Sequence, residues 1–146
     1  MIKSEYFASP VYVEEKPNWV EKLDNLSNPY INKAREDQKE NTEKRKTLGY
    51  KNDIGLTYHS EPLEPNEDFR FFHDYVAEKS RWCLDYMGYD MENSYLVYTE
   101  SWVQEFSFNG AGHHWFHTHG NNHISVFYFL KCSDKTSRPF FQTPRT

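Results

Sequence analysis

The sequence predicts an α+β fold that is mainly β, with helices in the N-terminal part and antiparallel strands after them. Apolar residues repeat with the period of a helix between Asn66 and Gly88, and with the period of a strand after Gly88. Aromatic residues make up 18% of the chain, which favours a core built largely from rings. A two-layer α+β fold, or a β-sandwich or barrel backed by helices, accommodates this order of elements.

Two amphipathic helices are predicted in the N-terminal part. The first begins at Pro17, a residue that suits a first helical position, and we expect Pro29 to interrupt it. The second runs from Asn66 to Gly88, with an asparagine cap, acidic residues in its first turn and a glycine at its end. Its buried face is predicted to include Phe69 and to be widened by a second stripe of Phe71, Tyr75, Trp82 and Tyr86. His73 lies on this helix and is predicted to be a packed core histidine.

The charged stretch 32–46 is predicted to be a solvated helix or excursion. A nucleic-acid-binding arm is the less favoured alternative, because its acidic residues nearly cancel its basic ones. We predict strands at 10–14, within 94–110, at 113–119, at 123–131 and in the last segment PFFQT. The chain 1–146 is therefore expected to form one domain, with a helical region at 1–90 and the first strands of a β core at 91–146.

Composition excludes several classes of protein. The chain has 17 basic and 22 acidic residues and a net charge of -5, which gives no electrostatic footprint for nucleic acid or for an anionic membrane. No window approaches the roughly 20 apolar residues that span a bilayer. Cys83 and Cys132 lie far apart and outside any C-x-x-C pattern, so a reducing, cytoplasmic location is expected.

Five of the seven histidines lie in the stretch 113–130, HHWFHTHGNNHISVFYFL. On a strand, residues two apart point to the same face, so His117 and His119 would project two imidazoles together. Imidazole is the commonest side chain that binds Zn, Fe, Ni or Cu, and this spacing therefore predicts a metal site. The alternative is that these are polar positions on a half-exposed strand. His113 and His114 are expected to be bystanders, and no other catalytic motif competes.

The run HTHGNNHISVFYFL resembles the H-x-H-x(5)-S-x-x-Y signature of short Fe(II)/2-oxoglutarate-dependent oxygenases from phage and bacterial genomes. The stretches ESWVQEF and RPFFQTPR are similar to the strands before and after that signature. The resemblance implies a double-stranded β-helix, or jelly-roll, that binds Fe(II) and 2-oxoglutarate and hydroxylates a small molecule or a protein side chain. It implies that His117 is the first iron ligand and that His119 takes the place of a carboxylate. Tyr128 and Arg145 would contribute to binding the oxoglutarate, and a phage protein would act in the cytoplasm of its infected host.

Two family residues, a distal histidine and an arginine, would lie on strands beyond Thr146. The resemblance therefore implies a β-helix that is incomplete at its C-terminal end, as in a fragment, a degenerate relative, or a split-gene product completed by another polypeptide. A cupin-like metal site is an alternative, with His123 as a third ligand if it keeps the phase of His117 and His119. A non-enzymatic structural or virion protein, a homo-oligomer built through its aromatic residues, is another.

Overall fold

The computed structural model describes residues 10–51, 53–134, 136 and 138–142. Within them the chain forms three α-helices, α1 (Val20–Asp37), α2 (Lys39–Thr47) and α3 (Arg70–Tyr86). Single 3-10 turns, Pro17–Trp19 and Glu67–Phe69, lead into α1 and α3. A two-stranded antiparallel sheet is formed by β1 (Thr57–His59) and β2 (Gln104–Phe106), with Tyr58 opposite Glu105.

The prediction of a mainly β, jelly-roll core is wrong. The helices dominate the described residues, and the sheet consists of two strands of three residues each. Alternation of apolar and polar residues predicts an extended backbone, but a β-strand also needs a neighbouring backbone to bond with. The predicted strands at 10–14, 113–119 and 123–131 form no ladder with any other described segment.

Helix α1 continues through Pro29, so the predicted interruption is also wrong. Proline removes one backbone hydrogen bond, but a helix that buries a continuous face can retain its course. Here that face is formed by Leu23, Ser27, Ile31 and Ala34, all buried.

The stretch 32–46, predicted to be solvated, is divided between the last turns of α1, where Ala34 is buried, and α2, which buries none of its residues. Its surface carries ion pairs three and four residues apart, such as Lys44 with Glu40 and Lys46 with Glu43. None of the helices in the described part of the chain is both long enough and apolar enough to span a membrane.

The predicted asparagine cap belongs to the 3-10 turn Glu67–Phe69 that leads into α3, where the side chain of Asn66 accepts a hydrogen bond of 2.9 Å from the backbone N–H of Asp68. Phe69 follows and is 1% exposed, the lowest exposed fraction in the core. Trp82 and Tyr86 were predicted to widen the buried face but are exposed. Their rings stack on each other with centroids 5.7 Å apart, and the ring of Tyr12 packs edge-on against Trp82 with centroids 5.4 Å apart.

Two buried clusters hold the elements together. In the first, Leu23 of α1 packs against Leu63 and Phe69. In the second, Ile31 and Ala34 of α1 pack against Tyr58 of β1. Arg35 of α1 forms a bidentate ion pair with Glu105 of β2, with 2.8 Å between Arg35 Nε and Glu105 Oε1, and this pair fixes the sheet on the helix.

His73 is half-buried, as predicted for a packed histidine, and its Nε2 lies 2.9 Å from Ser101 Oγ. The hydroxyl of Tyr98 donates to the carbonyl of His73 at 2.6 Å, and burial raises the pKa of Tyr98 to about 12. Burial also lowers the pKa of His73, although the carboxylates of Glu64 and Asp74 act in the opposite direction.

We expect the free energy of unfolding to fall as the pH is lowered through the range in which histidine titrates. The pKa of His73 is lower in the folded chain, so the unfolded chain takes up its proton first as the pH drops below about 6.5. The contribution of His73 is therefore present above that pH and lost as the pH falls through the folded pKa. Urea unfolding at about pH 7.5 and pH 5.5 measures the difference, which the substitution His73→Gln should reduce. A loss of equal size in both proteins would contradict this assignment, and His123→Gln serves as the exposed control.

Candidate metal site

Two backbone hydrogen bonds form a junction at the point where the histidine-rich segment leaves the sheet. The N–H of Gly55 donates to the carbonyl of Gly110 at 2.8 Å, and the N–H of Ser107 donates to the carbonyl of Leu56 at 3.0 Å. Gly112 lies against this junction, where a Cβ atom would meet Leu56 O at 2.9 Å and Ser107 N at 3.0 Å. The chain therefore leaves the sheet at a fixed point just before His113.

The substitution Gly112→Ala is expected to destabilise the fold by roughly 1–3 kcal/mol, because two of the atoms in the way belong to the backbone and cannot move aside. Gly120→Ala is a matched control, since a Cβ there meets nothing within 4 Å. Urea unfolding of the two variants compares them directly. Equal stability of the two variants would show that the close approach at Gly112 is absent.

The side chains of His117 and His119 converge as the spacing predicted. Their Nε2 atoms are 3.2 Å apart and their ring centroids 4.9 Å apart. Two imidazole nitrogens bound to one metal at about 2.0–2.1 Å lie about 3.0 Å apart at a right angle and about 3.4 Å apart at a tetrahedral angle. The observed separation falls between these two values and is therefore compatible with both nitrogens binding one ion.

A backbone carbonyl sets the proton position on His117. Its Nδ1 lies 2.7 Å from the carbonyl oxygen of Trp115. A carbonyl only accepts hydrogen bonds, so Nδ1 carries the proton and Nε2 presents a lone pair towards His119. This is the arrangement that orients metal-binding histidines in general. Without metal, the Nε2–H of His119 donates to that lone pair.

His114 lies beside this pair but its Nε2 is already occupied. The side-chain amide of Gln104 donates to it at 2.9 Å, and the amide oxygen faces the indole N–H of Trp102 at 3.4 Å. Burial lowers the pKa of His114, and the neighbouring imidazoles of His117, His59 and His113 act in the same direction. His114 is therefore held as a neutral acceptor at the edge of the site.

The remaining histidines of the cluster point elsewhere. Nδ1 of His113 donates to the carbonyl of Ala111 at 3.1 Å, and the ring of His123 packs edge-on against Tyr89 with centroids 5.3 Å apart. In the described part of the chain, no three or more His, Cys, Asp or Glu side chains are grouped so that they could hold a metal ion. The structure thus brings together two of the three predicted ligands, His117 and His119.

An open groove of about 280 Å³ lies beside His119. It is lined by Thr99, Glu100, His119, Gly120, Asn121 and Asn122. Glu100 and the amide of Gln104 were not predicted as site residues, although both lie in ESWVQEF, the stretch that resembles the strand before the signature. Tyr128, predicted to contact the cofactor, donates its hydroxyl to the carbonyl of Lys16 at 2.7 Å. Arg145 lies outside the described residues.

The geometry of the histidine pair is the main support for a function, because comparison with known proteins adds none. No family model, no curated protein and no solved structure matches the chain. The resemblance to oxygenases therefore stays a prediction that depends on the motif alone.

Proposed function

We propose that the chain binds a divalent transition metal through Nε2 of His117 and Nε2 of His119. The observation that carries this proposal is the 3.2 Å between the two nitrogens, which is the spacing of neighbouring ligands on one ion. The carbonyl of Trp115 supports it, since it holds His117 in the form that can coordinate.

The metal that we propose is Fe(II), acting with 2-oxoglutarate in the oxygen-dependent hydroxylation of a substrate. The run HTHGNNHISVFYFL supports this choice. So does the donor set, because two imidazoles leave coordination positions open for a chelating oxo-acid and for oxygen. When bound, iron would activate oxygen and oxoglutarate would supply two electrons as it is decarboxylated to succinate, while the histidines would hold the ion at the mouth of the groove. His117 and His119 would occupy two coordination positions of the ion. The described residues provide no third protein ligand.

The groove beside His119 offers room for a small dicarboxylate, with amide and hydroxyl groups on its walls. Its one charged lining residue is Glu100, which repels the far carboxylate of oxoglutarate. We therefore expect Glu100→Gln to strengthen oxoglutarate binding by about 3- to 10-fold, the effect of removing one like charge across a solvated gap. Calorimetric titration of oxoglutarate into the iron-loaded chain measures this. Weaker binding by the variant would show that Glu100 contributes favourably to the ligand site.

Two measurements on the purified chain test the proposed function. Titration with Fe(II) under anaerobic conditions is expected to show one ion bound per chain. Addition of 2-oxoglutarate and oxygen is then expected to yield succinate and carbon dioxide, seen by NMR, with one oxygen atom passing to the substrate or its surrogate. Iron binding without succinate would overturn the oxygenase activity and keep the metal site. Absence of iron binding would overturn both.

We also propose the cytoplasm as the compartment. Both cysteines are free, Cys83 buried and Cys132 exposed, and an exposed thiol persists most readily where the surroundings are reducing. The cupin-like and structural alternatives stay predictions. The ring of His123 lies against Tyr89, and no contact joins it to the histidine pair.

A further inference from the structure

The segment 124–130, ISVFYFL, alternates in burial like a strand over its last four residues. Ile124, Tyr128 and Leu130 are partly buried and Phe127 and Phe129 are exposed, whereas Val126, on the same side as Tyr128, is 51% exposed. Such alternation arises when one face of a strand lies on a core and the other faces solvent. Here Tyr128 and Leu130 pack against the cluster around Phe69.

The backbone of this segment has no partner strand. No backbone hydrogen bond joins 124–130 to another residue in the part of the chain that the structure describes. A strand of this kind offers a row of N–H and C=O groups to any backbone that can lie beside it. Proteins usually protect such an edge with charged residues or proline, but residues 121–130 contain neither.

We propose that two copies of the chain associate by pairing this segment with itself, antiparallel, about a two-fold axis at Phe127. In that register Ile124 lies opposite Leu130, Val126 lies opposite Tyr128, and Phe127 lies opposite its own copy. Residues directly opposite each other in an antiparallel pair share a face, so apolar side chains meet apolar side chains on both faces. The same patch serves both copies, as a two-fold interface requires.

Charge singles out this segment, rather than the helical surface, as the place where a second copy can associate. Copies of a chain with a net charge of -5 repel each other, and the exposed surface of α2 is almost wholly charged. The segment 121–130 carries no charged side chain, so its self-pairing brings no like charges together.

The exposed area sets the expected strength of the dimer. Phe127 is 63% exposed and Phe129 is 59% exposed. With the strand backbone, these rings would bury several hundred Å² in a dimer, less than the roughly 1,600 Å² of a standard interface. The dimer is therefore expected to be weak, with a dissociation constant in the micromolar range or above.

Sedimentation velocity of the full chain from about 5 to about 500 µM tests the proposal. A chelator is included, so that the result is independent of the proposed metal site. Dimer is expected to increase with concentration. Phe127→Glu places two carboxylates about 5 Å apart at the axis and should weaken association at least 10-fold. Phe108→Glu is the matched control, since Phe108 is 98% exposed and lies outside the segment. Urea unfolding confirms that both variants remain folded.

Disulfide cross-linking tests the register. In a Cys132→Ser background, Phe127→Cys is expected to give an oxidised dimer readily, because the axis places the two copies of residue 127 opposite each other. Ser125→Cys should not, since its two copies lie about 13 Å apart along the strands. Equal cross-linking by both variants would overturn the register. A chain that stays monomeric throughout the concentration range would overturn the proposal. The unpaired backbone would then be available for pairing with a strand from a different polypeptide.

Discussion

His117→Ala and His119→Ala are each expected to weaken the binding of Zn(II) or Fe(II) by at least about 100-fold. Loss of a residue that merely orients a metal ligand costs 10- to 100-fold, so loss of a ligand itself should cost no less. Either substitution leaves a single imidazole, and the chelate formed by the two Nε2 atoms is lost. Calorimetric titration of the two variants and of the unchanged chain gives the ratio.

His113→Ala is the matched control for this experiment. His113 belongs to the same histidine-rich segment, but its ring packs edge-on against Trp115 with centroids 5.0 Å apart and its Nδ1 faces the carbonyl of Ala111. We expect its removal to leave the affinity within about 3-fold of the unchanged chain. Equal losses for His113→Ala and His117→Ala would mean that the metal binds to the cluster without a defined ligand pair.

Phe69→Ala is expected to lower the free energy of unfolding by about 3–5 kcal/mol, the largest effect of any single truncation in the described core. Phe69 is 1% exposed, packs with Leu23 and Leu63, and stacks edge-on against Tyr30 with ring centroids 5.7 Å apart. Its removal leaves a cavity where α1, α3 and the segment carrying Tyr128 meet. Urea unfolding followed by circular dichroism measures the loss.

Phe108→Ala provides the comparison for that loss. Phe108 is 98% exposed, so we expect its truncation to change the free energy of unfolding by no more than about 0.5 kcal/mol. A loss at Phe69 no larger than the one at Phe108 would show that the cluster around Phe69 is not the core. The site would be affected as well, since Tyr128 and Leu130 attach the end of the histidine-rich segment to this cluster.

The helices could be predicted well where local signals act together. Asn66 caps the 3-10 turn that leads into α3, close to the predicted position, because a cap depends only on residues within the first turn. Pro29 shows the limit of such signals. Its local effect is unfavourable, but burial of Leu23 and Ile31 on either side of it outweighs the lost hydrogen bond.

The strands could not be predicted in the same way. Alternation at 124–130 agrees with the inward position of Tyr128 and Leu130, since that depends on the direction of each side chain, but not with Val126, which is exposed. Whether the segment joins a sheet depends on a second backbone, and no local pattern specifies one. The sheet that does form pairs Thr57–His59, where no strand was predicted, with Gln104–Phe106, which lies within the predicted strand region 94–110.

The candidate site, too, could be predicted only in the features that depend on local sequence. The pairing of His117 with His119 follows from their spacing and could be predicted. The carbonyl of Trp115 and the amide of Gln104 could not, because any residue has a carbonyl and the amide reaches His114 from another segment. His123 was a predicted ligand only if its phase matched that of His119. The turn between them, closed by the N–H of Asn122 on the carbonyl of His119 at 2.9 Å, does not bring their rings together.

X-ray absorption at the zinc edge of the chain loaded with one equivalent of Zn(II) tests the central claim most directly. We expect two imidazole nitrogens at about 2.0–2.1 Å, with the remaining ligands oxygen atoms from water or buffer. The same measurement on His117→Ala should show one imidazole at most. A spectrum from the unchanged chain that fits oxygen ligands alone, or that is unaltered by His117→Ala, would contradict the assignment of His117 and His119 as the metal-binding pair.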